Sequence, residues 1–442
     1  MRRKWIRAGA GLLLVSLAVC APGPAASAAA QQPQQQAPTY TMPEYNAYQA
    51  AANEKNAQQR VALLDDFVAK YPKSTLLPYV YRTYYLAYYE LKNYPKAIEY
   101  VDRLLSLGAQ VDLGTQLEAR VARAQAFYLG QNQRALAANE QLARAREAAT
   151  QGLKDLEQWK KPDNLTDEQY AQQKKSITIL FNSIAGIAAS RLKDYKAAVE
   201  SFKAVLAIEP KDPVTHYQMG IAYLQMDLPQ FLDGFWALAR SVALKGPGEA
   251  QVRTYLRGRL ANYQQTGCDK LLDDQMNELI SLAANSAERP ATYKIPSAAD
   301  LQKAREETTN FIMDLKAGGE KARLLWLATC GLEFPEVGGK VIEVSSGSDS
   351  VVLKLFFAPT PEAIEAGTTP NMEVKLAGQP EAKRLQAGEG ARFSATLVAY
   401  DPEPFMLHWE KGKVNPEDIP AEKGKQPAKR PPAKRPAKKP GR

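Results

Sequence analysis

The chain carries few side chains suited to covalent chemistry. Its 442 residues include two histidines, His216 and His408, and three cysteines, Cys20, Cys268 and Cys330. General acid–base or nucleophilic catalysis needs a titratable group beside a reacting or orienting partner. His216 instead occupies a recurring packing position, and His408 lies between Leu407 and Trp409 in a strand-like run. Ser190-Arg191-Leu192-Lys193 fits a Ser-x-x-Lys spacing, but it lies in helical pattern and the companion motifs of such acyl enzymes are missing. Gly318-Gly319 and Gly338-Gly339 read as turns without a phosphate-loop context. Asp273-Asp274 and Glu306-Glu307 read as solvated helix faces, and neither Cys268 nor Cys330 has a metal-ligand or redox spacing. The sequence therefore assigns no catalytic residue, no metal ligand and no cofactor, and it points away from an enzyme.

What the residues do show is a repeat. Residues 179–212 and 213–246 align at an offset of 34 residues, placing Asn182 on His216, Gly186 on Gly220, Ala198 on Leu232, Phe202 on Trp236 and Val205 on Ala239. A fixed period of this length, with small and large residues alternating in place, marks a two-helix unit that stacks on copies of itself. Gly186 and Gly220 would let the paired helix approach closely, and Phe202 and Trp236 would fill the space beneath the next unit. Asp194-Tyr195 sits at the turn inside a unit, and Pro210 and Pro213 mark the junction between units.

The stretch Asn182…Gly186…Ala189…Tyr195…Ala198…Phe202…Val205…Pro210 resembles a tetratricopeptide repeat. Asn182 and His216 stand where that family usually has Trp, and Leu232 stands where Ala is usual. The resemblance implies a mainly α chain, an α-α superhelix or solenoid, whose first helices line a groove that binds a peptide. It places Arg82, Leu86 and Tyr89 in that groove, followed by Ser183, Ile187 and Arg191, then Tyr217, Ile221 and Leu224. This set lacks the Lys/Asn pattern by which some members clamp a C-terminal carboxylate.

The other units are less regular. Residues 58–70 look like the second helix of a degenerate first unit, and residues 78–111 form a clear copy. Within that copy Leu91-Lys92-Asn93-Tyr94 matches Leu192-Lys193-Asp194-Tyr195, 101 positions later. That distance is one short of three periods, but the intervening residues predict an irregular helical insert rather than two further units. Tyr81, Tyr84, Tyr85 and Tyr88 share a helical face and read as packing. Beyond the repeats of 41–246, helices are expected at 249–264, 269–284, 298–316 and 320–330, and residues 247–332 are expected to cap or link the array.

Residues 333–415 change to the alternating pattern of strands, starting near 337, 351, 372, 393 and 405 between Gly, Ser and Pro turns. Five short strands predict a small all-β domain, and Gly388-Glu389-Gly390 with Asp401-Pro402-Glu403-Pro404 resembles OB-fold-like modules. Alternation points Leu353 and Leu355 inward. It leaves Phe356 outward between Lys354 and Lys375, an aromatic that could stack a base or sugar or pack on a neighbouring domain.

The formal charge of +9 is unevenly placed. Residues 423–442 hold nine Lys/Arg and no acid, and residues 1–30 hold four bases and no acid, so residues 31–422 carry four more acids than bases. Arg2-Arg3-Lys4, the apolar run Ala8 to Val19 and Ala28-Ala29-Ala30 read as a cleaved export signal over 1–30, before a flexible Gln/Pro leader over 31–40. Cys20 in Leu17-Ala18-Val19-Cys20 offers a lipid anchor instead. Export would place the mature chain in an extracytoplasmic compartment such as a bacterial periplasm. There Cys268 and Cys330 could pair, restricting the unfolded chain by about 4 kcal/mol in an entropy model; alternatively, Cys330 is a small buried apolar residue. The Lys/Arg/Pro-rich segment 416–442 reads as disordered. It could tether the chain to lipid phosphate or cell-wall carboxylate, whereas nucleic acid becomes a natural partner only without export. A protein partner in the repeat groove is the leading expectation. Intact mass of the protein from its host is expected to show a first residue of Gln31; a lipid-modified Cys20 start would move it to a membrane.

Overall fold

The computed structural model describes residues 40–346 and 350–421; the expected signal, Cys20, the leader up to residue 39 and residues 422–442 lie outside the described residues. The start of the segment expected to be disordered from 416 is instead ordered: Pro416–Asp418 form a 3-10 turn, and Asp418 accepts from Arg392 at 2.8 Å. The described residues divide into two compact units, one drawn from those up to 258 with 276–294, the other from 259–275 with those from 295 on.

The first unit is an array of helical hairpins. The helices are α1 (Met42–Asn53), α2 (Ala57–Lys70), α3 (Leu77–Glu90), α4 (Tyr94–Leu105), α5 (Leu113–Gly130), α6 (Asn139–Gln158), α7 (Asp167–Arg191), α8 (Tyr195–Ile208), α9 (Pro213–Gln225) and α10 (Phe231–Ala243). Each packs on its neighbours in sequence, and the first helices α5, α7 and α9 also touch in succession. That is a tetratricopeptide-type α-α array.

Local sequence sets the helix ends. Thr41 with Glu44 and Thr166 with Gln169 form capping boxes at α1 and α7, and Pro43 enters the first turn of α1. The match between 91–94 and 192–195 is a match of turns. Lys92 and Lys193 both adopt left-handed backbone, with φ of 55° and 65°. In each copy the next residue, Asn93 or Asp194, accepts from the backbone N–H of the helix it opens.

Packing in the array depends on glycines that leave seats for large side chains. A Cβ on Gly186 would lie 2.5 Å from the Phe202 ring, and one on Gly152 would lie 2.5 Å from the Phe181 ring. At Gly220 the neighbours are Leu238 and the Gly234 carbonyl. Phe202 therefore fills the space inside its own hairpin, rather than beneath the next one as expected. Trp236 lies buried in α10, its ring 5.9 Å from that of Tyr293.

The 101-residue interval holds a single hairpin, α5 and α6, built from helices of 18 and 20 residues, with α7 extended to 25 residues. Length in helices replaces the second missing unit, which is why the period breaks. Gly130 ends α5, where Leu136 and Tyr94 crowd its α-carbon.

In the second unit, five strands form a closed barrel: β1 (Glu333–Ser346), β2 (Val351–Phe356), β3 (Met372–Leu376), β4 (Gly390–Pro402) and β5 (Phe405–Val414), in the order β1-β2-β3-β5-β4. Only β3 and β5 run parallel, pairing Met372 with Leu407 and Val374 with Trp409. This is the OB-like arrangement. Leu353, Leu355, Val374, Leu397 and Phe393 fill the interior, with the Trp409 ring edge-on to Phe334 and Phe393. Gly338-Gly339, expected as a turn, lies inside β1 opposite Arg392 and Ala391. The bare α-carbon of Gly339 admits Met372 and Leu355.

Of the helices expected after the repeats, one differs. The stretch 298–316 breaks into α13 (Ala298–Glu306) and α14 (Phe311–Lys316), because Asn310 turns extended and caps the second piece by accepting from Met313 N–H. Residues 319–329 form α15. Ile312 and Leu315 of α14 and Leu325 of α15 belong to the barrel's core, whereas Leu301 of α13 packs with Leu327 and Ala328 of α15. The preceding helices, α11 (Glu249–Gln264) and α12 (Asp269–Asn285), each divide between the two units. Cys268 and Cys330, 62 residues apart with Cα atoms separated by 5.2 Å, are joined as a disulfide within the second unit.

Gly186→Ala is expected to destabilise the array by about 1–3 kcal/mol, since overpacking against a buried ring outweighs helix propensity. Gly258→Ala, at an exposed helical site with no atom within 4 Å, is expected to stabilise by about 1 kcal/mol. Urea midpoints of the two variants moving in the same direction would refute the seat argument.

Candidate peptide groove

The first-helix positions do not form one continuous exposed strip. On α3, Tyr79, Arg82 and Leu86 follow helical spacing, and Tyr79 and Leu86 are 56% and 45% exposed. Tyr48 of α1 extends this face, its ring 6.2 Å from that of Tyr79. Arg82 is half-buried and pairs with Glu118 of α5 at 2.8 Å. Glu118 also accepts from the Tyr85 hydroxyl at 3.0 Å. Tyr89 is largely withdrawn: its hydroxyl donates to the Ala122 carbonyl of α5, and burial pushes its titration well above the usual phenol range. Arg82 and Tyr89 thus clamp α3 to α5, and only Leu86 of that triplet stands open.

On α7, Ile187 is 7% exposed and belongs to the core, while Ser183 is half-buried. Arg191 donates to the carbonyl of Gln131 at 3.0 Å and to its side-chain oxygen at 2.9 Å; desolvation lowers its pKa. On α9, Tyr217 and Ile221 are half-buried, whereas Leu224 is only 3% exposed. Leu224 instead packs against Gly234 of α10, a contact invisible to helix spacing alone. Ile187 and Leu224 are therefore core residues. Tyr79, seven residues before Leu86 and so on the same helical face, is a further open residue that the repeat alignment does not mark.

The tyrosine cluster is packing. The rings of Tyr84 and Tyr100 stack at 3.9 Å, and the Tyr84 hydroxyl donates to Asp65 at 2.6 Å. In the barrel, Lys354 pairs with Glu343 at 2.9 Å and Lys375 is exposed. Phe356 does not stand free between them. It is half-buried against Gly367, at the end of α16 (Pro361–Ala366), where any side chain would strike its ring. The connection from β2 to β3 folds back over this aromatic.

Ser190 closes α7 and Lys193 occupies the left-handed turn, so their spacing reflects a helix end. His408 lies on the barrel surface, 2.9 Å from Asp401 and 3.4 Å from Glu373. Among the described residues no group of three or more His, Cys, Asp or Glu could hold a metal, and no helix is long and apolar enough to cross a membrane.

No family model and no curated protein matches the chain. Several solved structures are similar at low identity. PilW, a type IV pilus biogenesis factor, is 17% identical, covering 50% of this chain and 94% of its own, with a TM-score of 0.28. The C-terminal part of a TPR repeat-containing protein from Cytophaga hutchinsonii is 17% identical over 55% of this chain and 95% of its own, at 0.24. The TPR2AB domain of yeast Sti1, solved with pHSP90, is 12% identical over 56% of this chain and 96% of its own, at 0.19. The fold assignment rests on the hairpins and the barrel themselves. The chain is a tetratricopeptide-type helical array joined in sequence to a five-stranded OB-like barrel.

His216 offers a pH handle on the array. It is buried, with Nε2 3.0 Å from the Pro210 carbonyl. Desolvation lowers its pKa below 6.5; the Pro210 bond and Asp212 oppose this, and Arg240 adds to it. The unfolded chain therefore binds the proton first, so the stabilisation is complete above that value and is lost as pH falls below it. Urea midpoints measured from pH 7.5 down to 5 are expected to fall more steeply for wild type than for His216→Asn. Parallel curves would show that His216 does not contribute.

Proposed function

We propose that the array binds a polypeptide segment through apolar and aromatic side chains on its first helices, chiefly Tyr79 and Leu86, with Tyr217 and Ile221 further along. The observation that carries this reading is the open face of α3. Two large apolar residues stand exposed about two helical turns apart on α3, beside an arginine already neutralised by Glu118. An exposed apolar strip held on rigid, mutually clamped helices suits a helical or extended peptide, whose anchors gain by leaving water.

The role is that of a scaffold or adaptor outside the cytoplasm. The basic-then-apolar segment of residues 2–19 supports export, and the Cys268–Cys330 bond suits an oxidising compartment. Polypeptides selected from a random display library on the full chain are expected to carry two or more large apolar anchors. Their affinity is expected to drop about tenfold or more in Tyr79→Ser with Leu86→Asp, at unchanged thermal midpoint. Selected peptides that bind this variant and Tyr217→Ala with Ile221→Ala as tightly as wild type would overturn the assignment.

A further inference from the structure

Arg191 differs in its partner from the arginines that clamp the array. Four that link helices end on carboxylates: Arg60 on Glu90, Arg82 on Glu118, Arg120 on Asp155 and Arg123 on Asp102. Arg191, at the end of α7, ends on a neutral residue, the carbonyl and side-chain oxygen of Gln131. Among the described residues no carboxylate pairs with it, and burial alone acts on its pKa, downward. A guanidinium stays protonated all the same, so a full positive charge sits half-buried with no acid beside it. The last carbonyls of α7 supply a partial negative charge of about half a unit, which leaves most of the attraction for an anion unspent.

This charge adjoins the face of the first helices. On α5, Glu118, Ala122, Gln125 and Leu129 follow helical spacing, and Arg82 and Tyr89 of α3 attach at the first two. Leu129 ends that row, 53% exposed and two residues before Gln131. An open apolar side chain and a cation without an acid therefore meet at the end of α5. Arg191 spends two of its N–H donors on Gln131, and a guanidinium fork holds five. Neighbouring helix axes lie about 8–10 Å apart, so about six extended residues cover the two steps from α3 through α5 to α7.

We infer, on the reading that α3 holds apolar anchors, that the bound polypeptide also carries a carboxylate received by Arg191, with an apolar residue beside it on Leu129. Gln131 already holds the guanidinium in place, so binding an acid there orders one side chain fewer than a mobile surface lysine would. A base at the same place in the ligand meets like charge, which makes Arg191 a determinant of specificity as well as of affinity. The chain's own tail does not fit, since residues 423–442 carry nine bases and no acid.

The test selects a random peptide display library on the full chain and, separately, on Arg191→Gln. Wild type is expected to return Asp or Glu at one fixed spacing from the apolar anchors, and Arg191→Gln to return the anchors without the acid. A wild-type-selected peptide, amidated at its C-terminus, is then compared with its Glu→Gln counterpart. That exchange is expected to weaken binding to wild type about tenfold, and binding to Arg191→Gln by less than about twofold. A neutral peptide that regains affinity through a free C-terminus would place the terminal carboxylate on Arg191. Should Arg191→Gln lower the thermal midpoint, a benzoylphenylalanine beside the acid is cross-linked to wild type, with label expected at 125–131 and 187–193. Label confined to 423–442, acids equally enriched on Arg191→Gln, or anchored peptides without an acid would overturn the inference alone. Peptides without apolar anchors would overturn the reading of α3 and the inference with it.

Discussion

The repeat array depends on contacts between bare α-carbons and the rings or branched side chains seated on them. Phe181 lies on Gly152 and Phe202 on Gly186, while Gly220 and Gly234 of α9 and α10 face each other closely enough that Leu238 and Leu224 interlock across them. A helix pair so joined buries one face completely and leaves the next face apolar, so each hairpin needs its neighbour. Interiors at crystal-like density tolerate little added volume, and the glycines set the interhelical spacing more tightly than hydrophobicity alone would.

Polar side chains then fix the angle at which hairpins meet. Arg82 to Glu118, Tyr89 to Ala122, Arg123 to Asp102 and Arg191 to Gln131 each link one hairpin to the next. Half-buried pairs of this kind gain little net stability, but leaving one partner alone costs more, so they act chiefly on register. The same residues narrow what is open to a ligand. Clamped arginines and tyrosines leave Tyr79 and Leu86 as the open apolar face.

The barrel solves a different problem. Five short strands would leave long unpaired edges, and closure through the parallel β3–β5 pairing removes them. Its core also draws on Ile312, Leu315 and Leu325, three helical residues that precede the first strand. The second unit therefore includes helices, and the apolar residues of α14 and α15 complete the barrel's core.

The sequence by itself determined whatever depends on neighbouring residues. The 34-residue offset, the Lys-Asn-Tyr and Lys-Asp-Tyr turns, the helix caps and the strand alternation of Val351, Leu353 and Leu355 are all local, because dihedral preferences and periodicity act over a few residues. Tertiary structure decided what depends on residues far apart. Periodicity marks a helical face but not the neighbour opposite it, so Ile187 and Leu224 read as groove residues until α10 and the adjoining hairpins buried them. Phe356 read as exposed until Gly367 returned over it. The 101-residue interval read as an irregular helical insert, and only the packing showed it to be one long hairpin, α5 and α6, with α7 lengthened.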